Sequence, residues 1–264
     1  MINLAELRLY YYPPGKNEVT VYPIGIGQLG GTTITPTMVT TVSDKRANPT
    51  WTPTANIRAR YKAMGIELPA VVPAGPDNPM GHHAIRLAAY GGVYLLHGTN
   101  ADFGIGMRVS SGCIRLRDND IKALYNTISP GTKVNIINTP IKASVEPDGR
   151  RLVEVHQPLS EHIDDDPQTL PITLNAAMTA FKQAPQTDGT VMERAMNYRS
   201  GMPIDVTRHA DQDRSRCSLT LHKTKNPPDG GFFVGKGQTG VQQGLTHRCP
   251  VKGAGQRRIG LTCR

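Results

Sequence analysis

Short runs of alternating and β-branched residues, punctuated by proline and glycine, fill the first half of the chain. Ile2 through Tyr12 reads as a strand, with Leu7-Arg8-Leu9-Tyr10 alternating in its second half. Pro13-Pro14-Gly15-Lys16-Asn17 supplies turn chemistry, and Val19 to Gly27 reads as the returning strand of a hairpin. Glycines at 25 and 27 inside that strand predict that something approaches the backbone closely there. Thr32 to Val42, dense in threonine and valine, predicts another strand. Pro49-Thr50-Trp51-Thr52-Pro53 is a rigid turn around the single tryptophan, followed by a helical stretch over 55–64 and a Pro/Gly-rich loop over 69–80. Further strands are expected at Ala84-Ile85-Arg86-Leu87, at Gly92 to His97, at Cys113 to Leu116 and at Lys133 to Asn138. A short helix over 118–127 should open with Asp118 as its N-cap.

The pattern changes near Ile141. Arg151 to His156 reads as one more strand, and two amphipathic helical patterns follow over 173–183 and 190–199. The fold expected is mainly β with short helices over 1–140, then a small α+β appendage over 141–208. From 209 to 264 periodicity disappears and Gly, Arg, Lys, Gln and Thr dominate. That basic tail is expected to be disordered, or a frameshifted reading of downstream DNA.

Charge changes the picture less than the net of +9 suggests. From Arg214 onward ten Lys/Arg face one acid, Asp229, so residues 1–213 carry 20 charges of each sign and net zero. No basic stripe interleaved with aromatics runs through the body, and nucleic acid is excluded as a partner. No apolar run reaches eighteen residues, so no transmembrane segment is expected. No signal peptide is expected, and a chain that begins inside its first strand reads as truncated at the front.

The chemistry concentrates at Cys113, the only cysteine in the first 216 residues. It follows His97 by sixteen positions, in Val109-Ser110-Ser111-Gly112-Cys113-Ile114-Arg115-Leu116. A thiol at a glycine turn with a histidine near it is the layout for covalent acyl transfer. The remaining cysteines, Cys217, Cys249 and Cys263, match no zinc or disulfide spacing.

His97-Gly98-Thr99-Asn100, the sixteen-residue spacing and Ser110 to Leu116 together resemble the L,D-transpeptidase (YkuD-type) catalytic domain, a β-sandwich. Asn3 to Tyr10, Asn48-Pro49-Thr50-Trp51-Thr52-Pro53, Gly75-Pro76-Asp77-Asn78-Pro79-Met80-Gly81 and the appendage extend the resemblance to the ErfK-like branch, which attaches Braun lipoprotein to peptidoglycan. The resemblance implies that Cys113 is a nucleophile attacking the L-centre carbonyl of diaminopimelate in a tetrapeptide stem and expelling D-alanine. His97 then handles the proton, the backbone carbonyl of Gly98 orients His97, and the Gly112 N–H belongs to an oxyanion hole. Arg115, Ser111 and His83 are the candidates for substrate contact. The implied acceptor is the terminal lysine of Braun lipoprotein or a second diaminopimelate, the implied inhibitors are carbapenems, and the implied compartment is the periplasm. No cofactor and no metal are expected. Against that family the chain is expected to be a fragment or a late-start gene model, since neither a secretion signal nor a LysM-like module is recognisable in it.

Three other readings compete. A papain-like wall enzyme would place its cysteine before its histidine in the chain, the reverse of the order here. A truncated, inactive wall-binding remnant is the second. A zinc hydrolase built on His82, His97 and Cys113 is the third.

Overall fold

The computed structural model describes residues 1–29 and 33–209; the basic tail, from residue 210 on, lies outside them. In chain order the first elements are β1 (Ile2–Asn3), β2 (Arg8–Tyr11), β3 (Thr20–Pro23), β4 (Ile26–Gly27), β5 (Met38–Ala47) and α1 (Ala55–Ala63). Then come β6 (His83–Leu87), β7 (Leu95–His97), β8 (Arg108–Ser110), β9 (Ile114–Arg115), α2 (Asp118–Thr127) and β10 (Lys133–Ile137). Eight of these strands form one sheet in the order β3-β2-β1-β10-β5-β6-β7-β9, while β4 and β8 pair in parallel beside it. The sheet curls until its ends meet: Gly25, just past β3, exchanges backbone hydrogen bonds of 2.9 and 2.8 Å with Arg115 on β9. Ile24, Ile26, Ile85, Leu96, Ile114 and Leu116 fill the interior of the curl, each 1% exposed or less. The expected mainly-β architecture with few short helices is what the chain adopts.

Two glycines make this closure possible, as their position inside a strand pattern predicts. A Cβ on Gly25 would stand 2.3 Å from the Gly104 carbonyl oxygen, and one on Gly27 would stand 2.0 Å from that of Thr33. Both are closer than any carbon can approach, so the chain must be bare there.

Several expectations shift by a few residues, for identifiable reasons. The strand expected over Ile2–Tyr12 breaks into two because Leu7 turns the chain at φ +54°. β1 then runs parallel to β10, and β2 folds back antiparallel on β1. The strand expected over Thr32–Val42 begins at Met38 and continues through the charged Asp44-Lys45-Arg46. Lys45 belongs there because its Nζ donates to the carbonyls of Tyr125 and Ile128, 2.7 Å each, at the C-terminal end of α2. Asp118 is the first residue of α2 instead of its N-cap, and its carboxylate accepts from the His82 backbone and ring.

Beyond β10 a second, smaller core forms. β11 (Ile141–Val145), β12 (Arg151–Val155) and β13 (Pro203–Asp205) make an antiparallel sheet, covered by α3 (Ala176–Gln183) and α4 (Gly189–Tyr198). Asn175 and Asp188 cap the two helices by accepting from backbone amides of their first turns. Val153, Met192 and Val206 are fully buried between sheet and helices. β13, three residues long and opened by a proline, is too short to stand out in the sequence pattern.

A polar network joins the two cores. Arg8 on β2 donates to Glu154 on β12 at 2.6 Å, and Lys142 on β11 reaches Glu6 at 3.1 Å and Glu154 at 3.4 Å. His156 Nε2 lies 2.6 Å from Glu154, and Tyr10 donates its hydroxyl to Glu6. Two carboxylates thus face two cations in a partly dry setting. Removing one partner of such a network leaves the others desolvated without compensation. Glu154→Ala is expected to lower unfolding free energy by about 2 kcal/mol, discounted because Arg8 and Lys142 remain partly wet. Equilibrium denaturation in urea measures this.

Candidate active site

The site is built by cross-strand alternation. β7 and β9 run parallel with Leu96 opposite Ile114 and His97 opposite Arg115. Successive side chains on a strand face opposite ways. Leu96 and Ile114 therefore point into the core, while Leu95, His97, Cys113 and Arg115 line one cavity of about 560 Å³.

His97 is buried, at 7% exposure, and its Nδ1 lies 2.6 Å from the Gly98 carbonyl oxygen. That carbonyl only accepts, so Nδ1 carries the proton and Nε2 keeps its lone pair. Burial disfavours the imidazolium and pulls the His97 pKa down to about 4; the Gly98 bond opposes this and the nearby Arg115 charge adds to it. The Gly98 peptide is itself crowded from behind, since a Cβ there would stand 2.6 Å from Asp118 Oδ1.

Cys113 is a free, half-buried thiol. Burial raises its pKa, while the Leu95 backbone amide and the charges of Arg115 and Arg86 pull the other way. Both shifts run toward the neutral forms of the two groups. The Cys113 turn is held on both sides. Ser110 donates its hydroxyl to the Cys113 carbonyl at 2.5 Å and accepts the Gly112 N–H at 3.2 Å. Thr35, 1% exposed, donates to the Gly112 carbonyl at 2.8 Å and accepts the Gly27 N–H at 2.9 Å. Gly112 itself sits at φ +107°, a conformation that excludes other residues.

The remaining candidates separate. Arg115 lines the cavity beside Cys113, with its Nε buried and without a hydrogen-bond partner, and it pairs with neither Asp118 nor Asp120. Ser111 is exposed on the cavity wall. The Gly112 N–H, expected to point at an oxyanion, is taken up by Ser110 in this arrangement. His83 requires a correction: Ala84 faces the cavity, so alternation sends His83 to the other side of β6, where its ring packs on Tyr125 at 4.8 Å. His82 pairs with Asp118 at 2.7 Å and does not line the cavity, so the three zinc candidates do not converge. Among the described residues one group of potential ligands lies close enough to share an ion, Glu6, Glu154 and His156. It belongs to the network between the cores, where Arg8 and Lys142 already occupy the carboxylates.

Some residues of the site were recognised only as parts of motifs. Trp51, Pro49, Pro79 and Met80 form a cavity wall. Asn78, fully buried, ties their two loops together by donating to the carbonyls of Pro49 (2.8 Å) and Pro73 (3.1 Å) while accepting the Met80 N–H at 2.9 Å. An asparagine flanked by Pro, Asp and Gly was the available signal for such a clamp.

Residues 1–136 match the family model described as the L,D-transpeptidase catalytic domain. The chain belongs to the L,D-transpeptidase family. Residues 140–206 match the L,D-transpeptidase C-terminal domain. Among its relatives are "Probable L,D-transpeptidase YcfS" of Escherichia coli K12, 84% identical over 209 residues (79% of this chain, 65% of the relative), and "Probable L,D-transpeptidase ErfK/SrfK" of the same strain, 50% identical over 216 residues (80% and 68%). This L,D-transpeptidase chain thus spans about two thirds of the length of the curated relatives it matches. A solved L,D-transpeptidase 1 from Mycobacterium tuberculosis is 17% identical over 52% of this chain and 59% of its own, with a TM-score of 0.34.

His97 has a depressed pKa in the fold, so its stabilising contribution is full above its unfolded value near 6.5 and is lost as pH falls toward about 4. The difference corresponds to roughly 3 kcal/mol of acid-induced loss. Urea unfolding at pH 7 and pH 4 should show this loss shrinking in His97→Gln by about that amount.

Proposed function

We propose that this L,D-transpeptidase works through a Cys113 thioester on a peptidoglycan tetrapeptide stem. One observation carries the reading: Cys113 and His97 face the same cavity from neighbouring strands, with the lone pair of His97 Nε2 left free by the Gly98 bond. His97 takes the thiol proton as sulfur attacks the L-centre carbonyl of diaminopimelate, forming the S–C bond. The C–N bond to D-alanine then breaks, and the leaving amine carries off that proton. An acceptor amine next attacks the thioester, its proton passes to His97, a new C–N bond forms and the thiol is restored. Arg115 and Ser111 contact the stem, Arg115 through a carboxylate that its unpartnered guanidinium nitrogen suits. The Gly112 N–H stabilises the tetrahedral oxyanion by exchanging its 3.2 Å bond from Ser110 to the substrate oxygen.

The acceptor in this reading is the C-terminal lysine of Braun lipoprotein, with a second diaminopimelate as the alternative amine, and the reaction takes place in the periplasm. Resemblance to the ErfK-like branch supports the lipoprotein, and 50% identity to a relative named ErfK/SrfK supports the branch. Carbapenems are the matching inhibitors, since attack of the same thiol on their strained ring carbonyl breaks the ring C–N bond and leaves the amine tethered to the adduct.

The test is incubation with a tetrapeptide-bearing muropeptide, with and without a lysine-terminated lipoprotein peptide, followed by mass spectrometry. Release of D-alanine and a thioester adduct on Cys113 are expected, both lost in Cys113→Ala. Adduct-free turnover that survives Cys113→Ala would sink the reading. A second measurement is the pH dependence of Cys113 alkylation by iodoacetamide. Because burial raises the thiol pKa, the rate should climb through the alkaline range. A plateau already reached below pH 6 would instead show a thiolate–imidazolium pair.

A further inference from the structure

The cavity floor consists of two cross-strand rows. On the antiparallel β5–β6–β7 ladder Arg46 lies opposite Ala84 and Ala84 opposite His97; the parallel step to β9 then places Arg115 opposite His97. One step along, Asp44 lies opposite Arg86 and Arg86 opposite Leu95, and Cys113, the residue just before β9, lines the cavity beyond them. A register shift between Val42 and Asp44 puts Asp44 and Arg46 on this face, and all eight of these residues line the cavity. Three guanidinium groups thus face one carboxylate, and with His97 neutral the floor carries a net charge of +2.

The charges are not spread evenly. Arg115 stands beside the thiol, whereas Asp44, Arg46 and Arg86 gather at the far end of the floor. Arg86 donates one Nη1 bond to the Gly92 carbonyl at 2.5 Å and has no acidic partner among the described residues. Asp44 accepts from Arg46 Nε at 3.2 Å and from the Lys45 amide at 2.8 Å, both on its own strand. A carboxylate with an unpaired guanidinium opposite it is complementary to a group bearing an ammonium and a carboxylate on one carbon.

We propose that Asp44 and Arg86 form a subsite for an amino-acid zwitterion at the end of the donor's side chain, namely the D-centre of diaminopimelate. This rests on the thioester reading above. β6 lies two strands from β9, about 10 Å. The far centre of diaminopimelate lies roughly 5 Å beyond the carbon next to the reacting carbonyl. The arginine side chain covers the rest of that span, and the thioester linkage, the C–N bond and a hydrogen bond extend the reach to Asp44 on β5, one strand further and about 14 Å from β9. Arg86 holds the D-centre carboxylate and Asp44 its ammonium. The site therefore selects a donor by a group remote from the bond that breaks, and a lysine in the same position, which has the amine without the carboxylate, fits it worse.

The experiment compares thioester formation, by mass spectrometry, with three tetrapeptide donors: one with meso-diaminopimelate, one with its D-centre carboxylate amidated, and one with L-lysine at that position. The diaminopimelate donor is expected to acylate Cys113 about tenfold faster than the other two, a modest ratio because Asp44 is half exposed. In Arg86→Gln and in Asp44→Asn the ratio of diaminopimelate to lysine donor, measured on the same sample, should fall toward one. Equal rates for all three donors on the unaltered protein would overturn the subsite while leaving the thioester chemistry standing, and so would an unchanged ratio in both variants. Failure of every donor and of a carbapenem to label Cys113 would overturn both.

Discussion

The register of β9 against β7 is the constraint on which the site depends. A slip of one residue would turn Cys113 and Arg115 into the core and push Ile114 out into the cavity. Exposing Ile114 and losing its contacts with Leu96 would cost about 2–3 kcal/mol, and burying a guanidinium without a partner would cost more. Hydrophobic burial on one face therefore fixes the position of the reactive groups on the other. The same register aligns Arg46, Ala84, His97 and Arg115 in one row, so the charge pattern of the floor and the placement of the thiol have one physical origin.

Around that register the chain removes bulk wherever backbones must converge. Gly25 lets the two ends of the sheet meet, Gly27 lets the Thr35 segment reach the nucleophile turn, and Gly98 leaves space for Asp118 behind the histidine's carbonyl partner. Polar groups then lock the convergence: Thr35 bridges Gly27 and Gly112, and Ser110 spans its own turn. The result is a thiol and an imidazole held on the lining of one cavity. Burial penalises the ion pair that an open site would favour. That direction, thiol pKa up and imidazole pKa down, accords with the general-base role proposed for His97.

The second core is tied to the first by a set of ion pairs. Glu6, Arg8, Lys142 and Glu154 balance one another across the junction, with Tyr10 and His156 completing the hydrogen bonds. An arrangement of that kind fixes orientation through geometry, because each charge has only a few positions in which it is satisfied. It also uses up the one cluster of described residues that might otherwise have taken a metal ion.

The sequence alone determined the strand-rich character, the tight glycines at 25 and 27, the helices after residue 170 and the prominence of His97 and Cys113. Each follows from local patterns: alternation, turn chemistry, periodicity and spacing. It misjudged what depends on which way a side chain faces. His83 stood among the candidates for substrate contact, yet alternation on β6 turned it onto Tyr125, and Asp118, expected to cap a helix, took His82 instead. The charged stretch Asp44-Lys45-Arg46 gave no strand signal, because its place was set by β6 and by the helix end that Lys45 satisfies. Spacing along a chain shows which groups might meet. Only tertiary packing, through register and the cost of misplacing apolar residues, decided which of them share a cavity.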